Sequence, residues 1–428
     1  MNVRYRWLVA AGEGRSLFAA AAAHFCLLCG YYMLRSLREA LALDAGRGQF
    51  ANLFTMTLIA SLALLPAYWW LVARLPRRLL FPVTYSGVIA LFLGFAVAIA
   101  VKPGQPVIAA AYFVALTTLN LFVVSIFWSV MVDVWHSESA KRLFGFIAAG
   151  GSLGALAGPG FNAMFVERIG LPAVIVIACA MLGGAILLGM YAQRTRAEDD
   201  SAHVAHPKIA VGGRALDDLK RLLTSRYLLI LALVIILGQT VGAFMYNEQA
   251  RVVEAAFSDR SARAALFARI DFGVSAFSLL LQFGVVGWMT ARGSIKLSLS
   301  IVPTLLGVSF VMLALVPTAT MLLATQVLRR ATDYGLSKPT REMLFTVLNP
   351  ESKFKSKSLM DTLLQRGADS LGNWAYVGVA GLGLANIAGL AALICVALLG
   401  ATLWLGGVFE RREAGIDPEG AATIPSKL

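Results

Sequence analysis

Charge is scarce in this sequence. Only 14% of its 428 residues are Asp, Glu, Lys or Arg, while 58% are hydrophobic. A soluble domain carries about 25% charge to cover its surface, so a soluble globular fold is excluded. Cysteine and histidine are also scarce, at four each. All four cysteines, Cys26, Cys29, Cys179 and Cys395, sit in apolar runs. The Cys26-x-x-Cys29 pair would suggest redox chemistry in a soluble fold. Within an apolar helix it reads as small, soft packing. His203 and His206 fall in a polar central stretch and His136 stands beside Glu138 in a short loop; they read as solvated residues, and no metal site is expected. The phosphate-binding G-x-x-x-x-G-K-[ST] pattern, H-E-x-x-H and G-x-S-x-G are all missing. P-loop ATP hydrolysis, zinc proteolysis and serine hydrolysis thus lack their signatures. No enzyme activity and no cofactor are expected, and any transport should be secondary. No cleavable signal peptide is recognisable, because the first apolar run is long enough to remain as a helix.

Long apolar runs, by contrast, fill the chain. A membrane-spanning helix needs roughly 20 mostly apolar residues, and about twelve such stretches are present. They run near 16–37, 49–73, 79–101, 106–132, 143–167 and 170–192, then 226–248, 264–290, 294–317, 319–340, 357–383 and 386–409. Transmembrane β-strands would alternate over segments of about ten residues, and these stretches do not. The expected fold is an all-α integral membrane protein with twelve transmembrane helices in two six-helix bundles. Residues 1–193 form the first bundle, 194–225 a cytoplasmic central loop, 226–412 the second bundle and 413–428 a polar cytoplasmic tail.

The net charge of +13 does not indicate nucleic acid. Most Lys and Arg cluster in alternate loops, the central one carrying Arg194, Arg196, Lys208, Arg214, Lys220 and Arg221. Positive loops remain on the cytoplasmic side. The expectation is a multi-pass protein of a bacterial inner membrane, both termini cytoplasmic, with the anionic cytoplasmic leaflet as its charge partner.

The two halves carry traces of duplication. Ala73-Arg74-Leu75-Pro76-Arg77-Arg78 follows the second helix, and Ala291-Arg292-Gly293-Ser294-Ile295-Lys296 follows the eighth. Glu138-Ser139-Ala140-Lys141-Arg142 follows the fourth, and Glu351-Ser352-Lys353-Phe354-Lys355 the tenth. Six helices on each side of one polar connection is the layout of parallel repeats about an axis along the membrane normal. The fifth helix reads Gly150-Gly151-Ser152-Leu153-Gly154, then Gly158-Pro159-Gly160. Small residues allow close backbone approach, and the Gly-Pro break should face protein. Both tight packing and a hinge fit this segment.

Ionisable groups inside a membrane cost at least a few kcal/mol each and so ask for a partner or a cavity. Three clusters stand out. The first closes helix 1, with Arg35, Arg38 and Glu39; Arg35 and Glu39, four apart, can pair and leave Arg38 with spare donors. The second runs along helix 10 and past it, with Arg329, Arg330, Asp333, Lys338, Arg341 and Glu342, and Pro339 breaks the helix there. The third is a stripe on helix 11, Asp361, Gln365 and Asp369, with Arg366 beside it. Asp271 and Arg269 on helix 8, and Glu248 near the end of helix 7, are candidates for the same interior. Cations prevail on helices 1 and 10, which points to a small-molecule anionic or zwitterionic substrate held by paired Arg hydrogen bonds. The candidate substrate ligands are Arg35, Arg38, Lys338, Arg341 and Arg366. The candidate coupling network is Glu39, Asp271, Asp333, Glu342, Asp361 and Asp369.

The Arg-containing loops after helices 2 and 8 and the Gly-Pro pattern of helix 5 resemble the major facilitator superfamily, with alanine at Ala73 and Ala291 where its loop signature has aspartate. Within it, Phe127-Trp128, Ala140-Lys141-Arg142 and Leu34-Arg35 are similar to motifs of the ATP:ADP antiporter family, the nucleotide transporters of plastids and intracellular bacteria. Arg38-Glu39 stands where that family has lysine-aspartate, and the run Tyr334, Pro339, Arg341-Glu342-Met343, Lys353, Lys355, Lys357 and Asp361 follows its pattern. The resemblance implies a monomeric secondary transporter of nucleotides or other phosphorylated metabolites. One departure weighs against polyphosphate: Asp369 precedes Ser370-Leu371-Gly372 where the family places lysine. A proton-coupled exporter of amphiphiles on the same fold, and a non-transporting membrane scaffold or receptor, are the competing readings.

Overall fold

The computed structural model describes residues 13–135, 137–199, 225–282, 295–337, 340, 341, 344 and 363–413. Among these residues the chain is helical, with no strand. In chain order the helices are α1 (Glu13–Asp44), α2 (Phe50–Arg74), α3 (Arg77–Val101) and α4 (Pro106–Val134). A long helical stretch, Ser137–Asp199, follows, in which Gly170 takes φ 77° and ψ 165°. That backbone conformation is open to glycine and interrupts the helix. The stretch is therefore two helices, α5 (137–169) and α6 (171–199), meeting where the sequence predicts a boundary. Its apolar part, Leu143–Thr195, has 53 residues. That is about 80 Å of helix, far beyond one crossing of a bilayer core about 30 Å thick. Then come α7 (Arg226–Ala256), α8 (Arg260–Leu281), α9 (Ile295–Leu315), α10 (Ala319–Thr332), α11 (Gln365–Val379) and α12 (Leu384–Glu413).

Eight stretches among the described residues are long and apolar enough to cross a membrane. Their surfaces invert the soluble pattern: Phe18, Val97, Val107, Leu187, Leu280 and Leu393 are largely exposed. In water such faces would drive aggregation; against lipid they are at equilibrium. Interior positions hold the polar side chains instead, among them Asn162, Asn247, Glu248, Gln249 and Asp271. The chain is a multi-pass integral membrane protein.

The described helices group into two compact units. The first holds α1, α2 from Ile59 onward, α3 to α6, and Glu254–Ser275. Its centre is α1 against α5. A Cβ added to Gly150, Gly154 or Gly158 would strike the main chain at Ala21, Phe25 or Cys29. Glycines spaced by four form one helix face, and their missing side chains let α1 lie directly on it. Of the two roles the Gly-Pro segment allows, tight packing is the one the contacts display.

The second unit holds Phe50–Leu58, α7 as far as Val253, and the chain from Ala276. Its apolar core joins α7, α9, α10 and α12 through Val241, Met245, Phe310, Leu322, Ala391 and Cys395. At the end of α10, Asp333–Ser337 forms a π-helical turn. Proline at 339 supplies no N–H to the preceding turn, and such wide turns recur at functional sites.

Candidate functional site

In the first unit the end of α1 carries Arg35, Arg38 and Glu39. Tyr112 donates its hydroxyl to the Leu34 carbonyl at 3.1 Å, and Asn162 of α5 donates to the Met33 carbonyl at 2.8 Å. These bonds fix the last turns of α1 from two neighbouring helices. Arg38 is paired with Glu39. It also donates to Thr117 Oγ1 at 3.0 Å and lies over the Phe113 ring at 5.0 Å. The Arg38 and Glu39 side chains are only 12% and 6% exposed. Arg38, the immediate neighbour of Glu39, meets its carboxylate, and Arg35 sits over Tyr32 at 5.4 Å. Adjacent residues do not share a helix face, but a long arginine near the helix end can curl back to its neighbour.

At the last residue of α1 the same unit holds an ionic clasp. Asp44 accepts from Arg260 at 2.5 Å and lies 3.7 Å from Arg263, both at the start of α8. Arg47 meets Glu254 at 3.0 Å. Gly104, in the turn before α4 with φ 78°, lies so close to Arg260 that a Cβ there would overlap the guanidinium. Asp271 on α8 is buried, at 1% exposure. Arg269 reaches an outer partner, Glu167 at 3.7 Å, with both side chains more than half exposed.

The second unit contains a cavity whose lining is divided between polar and apolar walls. Its polar wall comes from α10, the π turn, the helical residues just beyond it and the start of α11: Arg329, Asp333, Ser337, Thr340, Arg341 and Gln365. Its apolar wall comes from α9 and α12, with Leu299, Val302, Leu306, Leu398 and Leu405 among its members. From α7, Gln239 lies among aliphatic neighbours. Arg329 donates Nε–H to Gln326 Oε1 at 3.0 Å, and Gln326 donates to Gln249 at 2.7 Å. Asp333 and Asp369 act on Arg329 electrostatically and partly offset its charge. The Arg329 guanidinium presses against Gly242 of α7, where a Cβ would stand 3.0 Å from Nη1.

A second polar chain runs from α7 to α11. Tyr376 donates to Glu248 at 2.7 Å, Arg251 pairs with the same carboxylate at 2.5 Å, and Asn247 donates to Asn373 at 2.7 Å. Arg366 faces Asp369 at 3.9 Å.

The sequence-predicted residues are thus distributed as follows. Asp333 and Arg341 line the cavity. Arg366 and Asp369 pair with each other, and Gln365 of the same stripe supplies a cavity wall. Arg35, Arg38 and Glu39 form the α1 cluster, and Asp271 is interior to α8. Lys338, Glu342 and Asp361 lie outside the described residues. Sequence reading missed the clasp at Asp44 and the Tyr376 hydroxyl on Glu248, because partners more than a hundred positions apart leave no periodic trace. It also missed His24, buried in α1, which stacks on Phe127 at 4.6 Å and bonds the Ile147 carbonyl at 2.9 Å. Among the described residues no group of three or more His, Cys, Asp or Glu is placed to hold a metal ion.

The fold is that of solved transporters. The chain resembles a bacterial homologue of the human lysosomal transporter Spinster at 14% identity and TM-score 0.57, covering 97% of this chain and 96% of that one. It resembles the nucleoside transporter NupG at 11% identity and TM-score 0.53, covering 93% and 98%. A POT family peptide transporter gives 13% identity and TM-score 0.60, covering 93% and 97%. No curated protein sequence matches the chain. A sequence model of the Major Facilitator Superfamily matches residues 20–337, well over half of the chain. With that match and the helical fold behind it, the chain belongs to the Major Facilitator Superfamily, a family of secondary transporters rather than a class of enzymes.

Proposed function

We propose that the chain transports an organic anion by alternating access, and that the cavity of the second unit is where the anion is held. The observation carrying this reading is the polar wall, in which Arg329 and Arg341 accompany the single carboxylate of Asp333. Two guanidiniums beside a water-accessible space in an otherwise apolar helix set are expensive unless an anion repays their desolvation. Phosphorylated metabolites, nucleotides included, belong to the proposed class on the strength of the motifs shared with the ATP:ADP antiporter family. The remaining parts of the reading are a monomer in a bacterial inner membrane, both termini cytoplasmic, with bundles at 1–193 and 226–412. The proposed roles of Arg35, Arg38, Lys338 and Arg366 as ligands, and of Glu39, Asp271, Glu342, Asp361 and Asp369 as the coupling network, rest on charge within apolar helices.

A ligand that binds only the folded state raises the melting temperature by mass action. Purified protein titrated with a panel of organic anions should show a concentration-dependent rise in Tm for at least one of them. Arg341→Gln should weaken that ligand by about tenfold to a hundredfold, as expected for loss of a charged hydrogen bond worth about 1.5–3 kcal/mol. Identical titrations of the wild type and the variant would remove Arg341 from the site and with it this reading.

A further inference from the structure

We infer that the occupant of the second unit's cavity is a single-chain amphiphile carrying one negative charge. The inference rests on the anion-transport reading above and narrows its substrate class. Three observations carry it.

The first is the division of the walls by element. The α10–α11 side supplies cations, a carboxylate, hydroxyls and an amide, whereas the α9 and α12 side supplies almost only aliphatic carbon, Thr402 being its one polar contributor. A ligand matching both walls at once needs a polar head and an apolar body. The second is charge. Among the described lining residues Arg329 and Arg341 outnumber the carboxylate of Asp333 by one, and Asp369 offsets Arg329 further from beside the cavity, so this lining carries no more than one unit of positive charge. A monoanion balances it, while a nucleoside diphosphate or triphosphate would enter with excess negative charge into a site where unpaired charge is strongly penalised. The third is composition. The described lining contains no Phe, Tyr or Trp, although bases are commonly gripped by stacking on aromatic rings. The aromatic pairs of this unit, such as Phe244 with Tyr376 and Phe54 with Tyr246, lie elsewhere. Leu, Ile, Val and Pro surfaces instead suit an alkyl chain.

The test uses the full chain in lipid nanodiscs, with hexane-, octane- and decanesulfonate as permanently charged probes, and decanol and ADP as controls. Affinities are referred to free aqueous concentration. Each buried methylene contributes about 0.8 kcal/mol, or roughly fourfold in affinity. Affinity should therefore climb about fifteenfold per two-carbon step, with decanol and ADP far weaker. Arg341→Gln should bring decanesulfonate down towards decanol. Val302→Phe, which changes no charge, should weaken decanesulfonate while sparing hexanesulfonate. Displacement of octanesulfonate by oleate dissolved in the nanodisc would place the natural ligand in the bilayer. Retention would place it in the aqueous phase, and both results support the class. Arg341-dependent binding of ADP with no chain-length gradient would overturn the inference and leave anion transport standing. Absence of Arg341-dependent binding for every anion would overturn both.

Discussion

At the residue scale, charge pairing decides what each buried group can do. Glu39 and Arg38 sit nearly out of solvent and meet directly. Removing one member of a buried pair leaves its partner uncompensated, at about 3–5 kcal/mol, whereas removing both is far milder. Arg38→Gln should therefore lower the Tm of the purified protein markedly, and adding Glu39→Gln should recover a substantial part of the loss. Additive losses in the double variant would mean that the pair is not the stabilising unit. The same logic accounts for what could be read from sequence at this scale. Arg38, Glu39, Asp333 and Arg341 announced themselves as charges in apolar surroundings. Which groups would meet was legible only where both lay within one helical turn, as with Arg366 and Asp369. Arg38 broke even that rule by reaching its immediate neighbour, and Glu248 found Tyr376 across 128 positions of sequence.

At the element scale, helix starts were more legible than helix ends: α1 and α7 run on to Asp44 and Ala256, past the expected 37 and 248, because polar residues continue the helix beyond the apolar run. The corner at Gly170 separates α5 from α6 where two apolar runs meet, and Pro106 opens α4 at a position that needs no N–H. The glycine face of α5 was visible as a composition, but not its partner, because close approach depends on what the facing helix presents. The packing supplies a discriminating pair of substitutions. Gly154→Ala drives a methyl into the Phe25 carbonyl; rigid main chain cannot yield, and overpacking of this kind costs about 1–3 kcal/mol. Gly183→Ala meets nothing within 4 Å and should be neutral or slightly stabilising, by up to about 1 kcal/mol, since alanine is the better helix former. Thermal unfolding of the two variants in one detergent checks the contrast. Equal stability would contradict direct α1–α5 contact at Gly154. The π turn at Asp333–Ser337 belongs to this scale as well. Pro339 foretold a disturbance of α10, and the widened turn turns Asp333 and Ser337 towards the cavity wall.

At the scale of the whole molecule, the compact units do not follow the order of the chain. The first turns of α2 join the second unit, where Thr55 meets Ser370 at 2.8 Å and Trp374 at 3.1 Å. The end of α7 and most of α8 join the first, where Asp44 holds Arg260 and Ser275 bonds the Ala155 carbonyl at 3.0 Å. Apolar periodicity and loop charge carry no record of this division, which depends on tertiary contacts such as the clasp.

The proposed transport of an organic anion through the cavity beside Arg341 is open to a direct counterflow measurement. Proteoliposomes preloaded with an unlabelled organic anion are given the labelled compound outside, with octanesulfonate and ADP run side by side. At least one of them should accumulate saturably, accelerated by the preload, and this accumulation should be lost in Arg341→Gln protein that inserts and folds normally. Accumulation unchanged by that substitution, or none for any anion tested, would contradict it.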